Sequence, residues 1–242
     1  RLVGSEMCIR DRHRVFRIDL ASGNCDWNTY IFYPRNISIA QNTLYGTGVY
    51  AMKTFNISGA TPSEISCPFQ GTLYAYARYY GQTADYKREN YYVHYNRNIW
   101  RFTIGSNGCV NTGHSSRIQT YSWQWSYGMD HHPSNELILY GSDWRGQRLT
   151  RVQMNPQRNG TFQIRNVGRY GQTASKTGNV RMYGPWGVTV DKTNNRVLVT
   201  TYYKQSVQAF DLNLNFDKEF GGSHGTRMTG AHEAIQSIVT DS

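Results

Sequence analysis

Residues 185–191 read PWGVTVD, residues 195–201 NRVLVTT, residues 206–212 SVQAFDL and residues 216–222 FDKEFGG. These are short runs rich in β-branched and aromatic residues, separated by short segments carrying Asn and Lys turn residues. No 3.6-residue period is sustained across them, so they predict four consecutive strands. A four-stranded sheet with two apolar faces is unstable alone. Stacking such sheets around an axis buries both faces and leaves only short edges.

The third of these runs recurs upstream as VFRIDL (15–20), AMKTFNI (51–57), IWRFTI (99–104) and LTRVQM (149–154). Aligned on Ile18, Phe55, Phe102, Val152 and Phe210, the copies are 37, 47, 50 and 58 residues apart. An Asn-led apolar strand precedes four of them, beginning at Asn42, Asn90, Asn135 and Asn195. Two strands in fixed order per roughly 48 residues, with room for two more, match a propeller blade. The expected fold is therefore all-β, a β-propeller of four-stranded blades.

The pattern over 181–242 resembles the NHL repeat, whose blades read P-x-G-V-x-V-D, a Gly/Asn-led strand, R-V-x-V-F-D and a closing F-G. Residues 235–242, IQSIVTDS, read as the innermost strand of a further blade. The chain then holds two strands of one blade, four full blades and the first strand of another. Six blades of this size need about 290 residues, so a six-bladed ring truncated at both ends is expected. Residues 1–12, RLVGSEMCIRDR, look like translated sequencing-adapter read-through and are set aside. That leaves 13–242 as a single NHL-like propeller domain, incomplete at both ends.

Composition agrees with a folded β protein. Only 17% of the 242 residues are charged, with 23 Gly, 19 Tyr and 6 Trp, which argues against disorder. No apolar run approaches the roughly 18 residues that a membrane helix needs. The net charge is +10, and its distribution is uneven. From Trp144 to Val190 there is no acidic residue, while Arg145, Arg148, Arg151, Arg158, Arg165, Arg169, Lys176 and Arg181 all fall there. Such a stretch creates a positive field able to attract phosphates. Some NHL propellers bind single-stranded RNA on a basic face, so the resemblance permits RNA as a partner; ordinary solvated arginines are the plainer reading.

Histidines form the other candidate constellation. His131 and His132 follow a strand expected to line the channel, and His224, His232 and Glu233 precede the next. Propeller enzymes of the lyase and lactonase types hold metals on the axis, and three histidines with Glu233 suit an axial zinc or calcium. No compact ligand spacing supports this, and ligands drawn from distant blades leave none to find. Asp191 and Asp241 close their inner strands at equivalent positions, where a repeated Asp usually caps a turn. Tyr121, Trp123, Trp125, Tyr127 and Met129 alternate and are expected on one side of a single strand, packed on a neighbouring blade. Nucleophile elbow, P-loop, dinucleotide, EF-hand and paired CxxC motifs are missing from the sequence.

Asn36, Asn56 and Asn159 head glycosylation sequons, about the number that chance supplies in a chain this rich in Asn, Ser and Thr. With Cys8 set aside, Cys25, Cys67 and Cys109 each follow a third strand. Equivalent outer positions on different blades are expected to lie too far apart to bridge. An odd, unpaired set leans towards a reducing, intracellular compartment, without excluding an extracellular one. The expected function is non-catalytic: a scaffold recognising a protein partner through its loops. No cofactor is expected on that reading. RNA binding through 144–190 and a metal-dependent axial enzyme are the alternatives.

Overall fold

The five anchor residues found by sequence alignment occupy one register position in five consecutive antiparallel sheets. The computed structural model describes residues 6–11, 14–19, 25–31, 36–48, 52–68, 81–95, 98–119, 126–168, 182, 184–202 and 206–221. The first sheet holds β1 (Glu6–Asp11), β2 (Arg14–Asp19) and β3 (Cys25–Tyr30). Blade A holds β4 (Asn36–Ala40), β5 (Thr43–Thr47), β6 (Met52–Asn56) and β7 (Ser63–Ile65). Blade B holds β8 (Gln82–Ala84), β9 (Asn90–Tyr95), β10 (Asn98–Ile104) and β11 (Val110–Gln119). Blade C holds β12 (Met129–His131), β13 (Ile138–Asp143), β14 (Arg148–Met154) and β15 (Thr161–Val167). Blade D holds β16 (Pro185–Asp191), β17 (Arg196–Thr201), β18 (Ser206–Asp211) and β19 (Phe216–Gly221).

In each blade the strands follow chain order, and the sheets are arranged as a β-propeller. The innermost strands β4, β8, β12 and β16 contact one another in succession around the axis. Among the described residues there is no helix, and so none long and apolar enough to cross a membrane. Counting repeats gave two strands for the first sheet, whereas it has three. Glu6–Asp11, from the segment set aside, pairs antiparallel with β2.

The register explains how the blades bury their faces. Phe55, Phe102, Val152 and Phe210 pair with Leu44, Tyr91, Leu139 and Val197 on the second strands. Each anchor packs towards the preceding sheet. Phe55 joins Val15 and Trp27, Phe102 joins Ala40 and Tyr45, Val152 joins Tyr92 and Ile99, and Phe210 joins Ile138 and Tyr140. Period-two alternation sends the next residues the other way, so Tyr45, Tyr92 and Tyr140 pack towards the following blade. Burying such a side chain is worth about 1.5–3 kcal/mol relative to exposure, which is why no blade need be stable by itself.

Two sequence expectations are corrected here. Cys67 and Cys109 are disulfide-bonded, with Cα atoms 5.5 Å apart. The two cysteines are not at equivalent positions. Cys67 follows the outermost strand of blade A, whereas Cys109 leads into that of blade B, so the bond closes the seam between neighbours. Tyr127 and Met129 also do not share one side of a strand. β12 begins only at Met129, which is buried against Tyr92 and Leu139, whereas Tyr127 precedes the strand and stacks on Trp186. Tyr121, Trp123 and Trp125 lie outside the described residues.

Candidate functional site

The upper face is defined here as the one where innermost strands begin, and the lower face as the one where they end. Pairing places Ser38, Thr83, Asp130 and Thr189 at one equivalent position, one residue before the partners of the second-strand anchors. These side chains form a polar arc around the axis. Ser38 Oγ is 3.5 Å from Thr83 Oγ1, which donates to Asp130 Oδ1 at 3.2 Å. Thr189 Oγ1 donates to Asp130 Oδ2 at 3.3 Å, and the Val190 N–H donates to the same oxygen at 2.8 Å. The His131 N–H donates to Oδ1 at 2.8 Å. Asp130 thus ties β8, β12 and β16 together.

His131 stands where the other blades carry Ile39, Ala84 and Val190, and it is 1% exposed. Its Nδ1 is 3.1 Å from Asp130 Oδ1 and 3.3 Å from Thr83 Oγ1. A carboxylate only accepts, so Nδ1 carries the proton towards Asp130. Nε2 has no hydrogen-bond partner among the described residues. Burial raises the Asp130 carboxyl pKa. The His131 hydrogen bond and charge, the Val190 N–H and Lys192 outweigh it and hold the group below the usual 3.8. A cavity at the axis is lined by these groups together with Ile37, Met129 and Lys192.

The remaining histidine candidates divide. His132 Nδ1 accepts the N–H groups of Ser134 (3.2 Å) and Asn135 (3.1 Å), so it caps the turn after β12. Burial, then Arg151 and His131, push its pKa below 6.5. His224, His232 and Glu233 lie outside the described residues, as does Asp241. Among the described residues no three His, Cys, Asp or Glu side chains gather as a metal-ligand group. Asp130 already accepts several bonds on its two oxygens, leaving His131 Nε2 as the uncommitted nitrogen of the pair. Asp191 caps a turn, accepting from Asn194 N (3.1 Å), Asn194 Nδ2 (2.8 Å) and Arg196 Nε (2.8 Å).

The arginines of the basic stretch do not share one surface. Arg145 is exposed in the β13–β14 turn of the upper face. Arg148, beside it, binds Asp143 at 2.8 Å. Arg158 belongs to the lower face and pairs with Glu136 at 2.5 Å, and Glu136 also binds Lys87 of blade B at 2.8 Å. Arg151 lies mid-strand in β14, and Arg165 on β15 donates to Asn215 Oδ1 at 2.9 Å. Arg169 lies outside the described residues. Asp143 and Glu136, just outside the one-sign stretch, thus supply the counter-charges of Arg148 and Arg158.

A third feature had little sequence signal. Tyr127 and Trp186 stack in parallel at 4.0 Å, and Trp144 meets Trp186 edge-on at 5.1 Å. Tyr202 completes the group, 5.6 Å from Trp144 and 5.7 Å from Trp186. All four are partly exposed on the upper face, at the junction of blades C and D. They come from a pre-strand segment, a strand start and two turns, so no spacing links them. The polar arc was recoverable by extending the anchor alignment to the innermost strands.

No family model matches the chain, and no curated protein matches it. Solved structures do. A chain of a nidogen/laminin complex superposes with a TM-score of 0.55 at 12% identity, over 98% of this chain and 98% of that one. A luciferin-regenerating enzyme gives 0.57 at 9% identity, over 90% of this chain and 76% of that one. Apo AztD from Citrobacter koseri gives 0.47 at 13% identity, over 95% of this chain, which spans 55% of the length of AztD. Likeness to the first two, at these identities, establishes the fold alone.

Proposed function

We propose that this propeller is a non-catalytic binding module that engages a protein partner through its upper face. The observation that carries the reading is the half-exposed cluster of Tyr127, Trp144, Trp186 and Tyr202 beside the exposed Arg145. Trp, Tyr and Arg dominate the energetic centres of protein interfaces, because they offer large rigid area with a polar handle. Rings that already hold one another lose little freedom on docking, which lowers the cost of association. The exposed Arg145 favours a partner surface that sets a carboxylate beside an apolar centre. The nidogen/laminin chain comes from a protein–protein complex, and that supports the reading by analogy only.

RNA binding is the second reading, and the dispersal and pairing of Arg148, Arg158 and Arg165 weigh against it. An axial metal-dependent enzyme is the third; it rests on His131 with residues outside the described set. The first two are separated by affinity capture from the native source. Wild-type protein is compared with Trp144→Ala/Arg145→Glu and with a lower-face control, Gln157→Glu, in the exposed β14–β15 turn. The expected result is a defined protein partner retained by wild type and control and lost from the upper-face variant. Material that is released by ribonuclease, and whose retention falls steeply with salt, would replace this reading with RNA binding.

A further inference from the structure

The three sequons, indistinguishable in sequence, are sorted by the fold. Asn36 starts β4 and is 8% exposed, and its Nδ2 donates to the Tyr127 carbonyl at 3.1 Å. The hydroxyl of its sequon, Ser38, is 7% exposed within the axial arc and accepts the Ala84 N–H at 2.9 Å. Asn56 is exposed at the end of β6, with Oδ1 accepting the Ser58 N–H at 2.9 Å. This Asx turn spans its own sequon and leaves Nδ2 unbonded among the described residues. Asn159 is exposed in the β14–β15 turn, with Oδ1 accepting from Asn155 Nδ2 at 2.7 Å and its own Nδ2 likewise unbonded. Asn56 and Asn159 both belong to connections between third and fourth strands, on the lower face. The buried sequon belongs to the upper face.

The Cys67–Cys109 disulfide is an independent observation bearing on compartment. Bonds of this kind persist where thiols are oxidised, chiefly outside the cytosol, which is where sequons are read. We infer that Asn56 and Asn159 carry N-linked glycans, that Asn36 does not, and that the chain matures in an oxidising secretory compartment. In the transfer, Asn Nδ2 attacks the anomeric carbon of a lipid-pyrophosphate-linked oligosaccharide. The N–C bond forms and the C–O bond to pyrophosphate breaks. The pyrophosphate leaves with the electron pair, and the amide gives up one proton. In the disulfide, two thiols lose two protons and two electrons to a disulfide-bearing oxidoreductase of that compartment. The glycans would cover the lower face and leave the aromatic upper face open. This inference does not depend on the partner reading.

The test uses protein purified from its native source. Free thiols are blocked by alkylation without reduction, and glycans are released by peptide-N-glycosidase in ¹⁸O-water. Peptide mass spectrometry is expected to find Asn56 and Asn159 converted to ¹⁸O-labelled Asp, Asn36 unchanged, and Cys67 linked to Cys109. In the chain made by a eukaryotic secretory route, Asn56→Gln and Asn159→Gln should each remove one glycan and Asn36→Gln none. A glycan on Asn36, unmodified Asn56 or Asn159 in the native protein, or alkylated Cys67 and Cys109 would each overturn the inference.

Discussion

Asp130 on β12 accepts the backbone N–H of Val190 on β16 at 2.8 Å, across the seam between blades C and D. The same carboxylate holds Thr83 of blade B and Thr189 of blade D, so one side chain joins three innermost strands. Removing it leaves several donors around the axis without an acceptor.

Asp130→Ala is therefore expected to cost about 3 kcal/mol of stability, from buried donors left unsatisfied and the loss of a charge-assisted network. Chemical unfolding of wild type and variant measures it. The pH dependence has a definite sign. The folded pKa of Asp130 lies below its usual 3.8, so its contribution is fully present above that value. It is lost as pH falls through the lower, folded value. Asp130→Asn should flatten that acid limb, and an unchanged limb would show that other carboxylates set it.

Gly128 is fixed by proximity. A Cβ there would sit 2.3 Å from Val188 N and 2.5 Å from Trp186 O, both backbone atoms of the neighbouring blade. Neither can swing away as a side-chain end does. Gly128→Ala should destabilise by about 3 kcal/mol, by forcing the seam between blades C and D apart. Thermal unfolding gives the value.

Tyr140 should resist ionisation. Burial pushes its pKa up to about 12, partly offset by Arg151, and its hydroxyl donates to the Leu212 carbonyl at 2.8 Å. A raised folded pKa supplies stability that is complete below the ordinary value of about 10 and lost as pH rises towards 12. Spectrophotometric titration of wild type against Tyr140→Phe should remove one late-ionising phenol.

The Cys67–Cys109 bond closes a loop of 42 residues in sequence separation, which corresponds to about 4 kcal/mol in the chain-entropy account. Cys67→Ser/Cys109→Ser should lower stability by an amount of that order and leave the strand content unchanged by far-ultraviolet circular dichroism. An unchanged unfolding midpoint would show that blade packing alone holds the seam between blades A and B.

The sequence by itself determined the all-β class, the order of the blades and the shared register of their third strands. Phe55, Phe102, Val152 and Phe210 could be aligned because a blade face must present apolar side chains at the same height in every repeat. It also singled out His131 as a candidate beside an inner strand, while its place among Ile39, Ala84 and Val190 comes from the strand pairing. What it could not supply was distance between residues far apart in the chain. The pairing of Cys67 with Cys109, the meeting of Tyr127 with Trp186 and the burial of Asn36 but not Asn56 depend on how adjacent blades dock. Docking is decided by side-chain packing across each seam, and that packing joins positions whose spacing varies with loop length. Local periodicity records which face a residue occupies, and tertiary structure decides what waits on the other side of it.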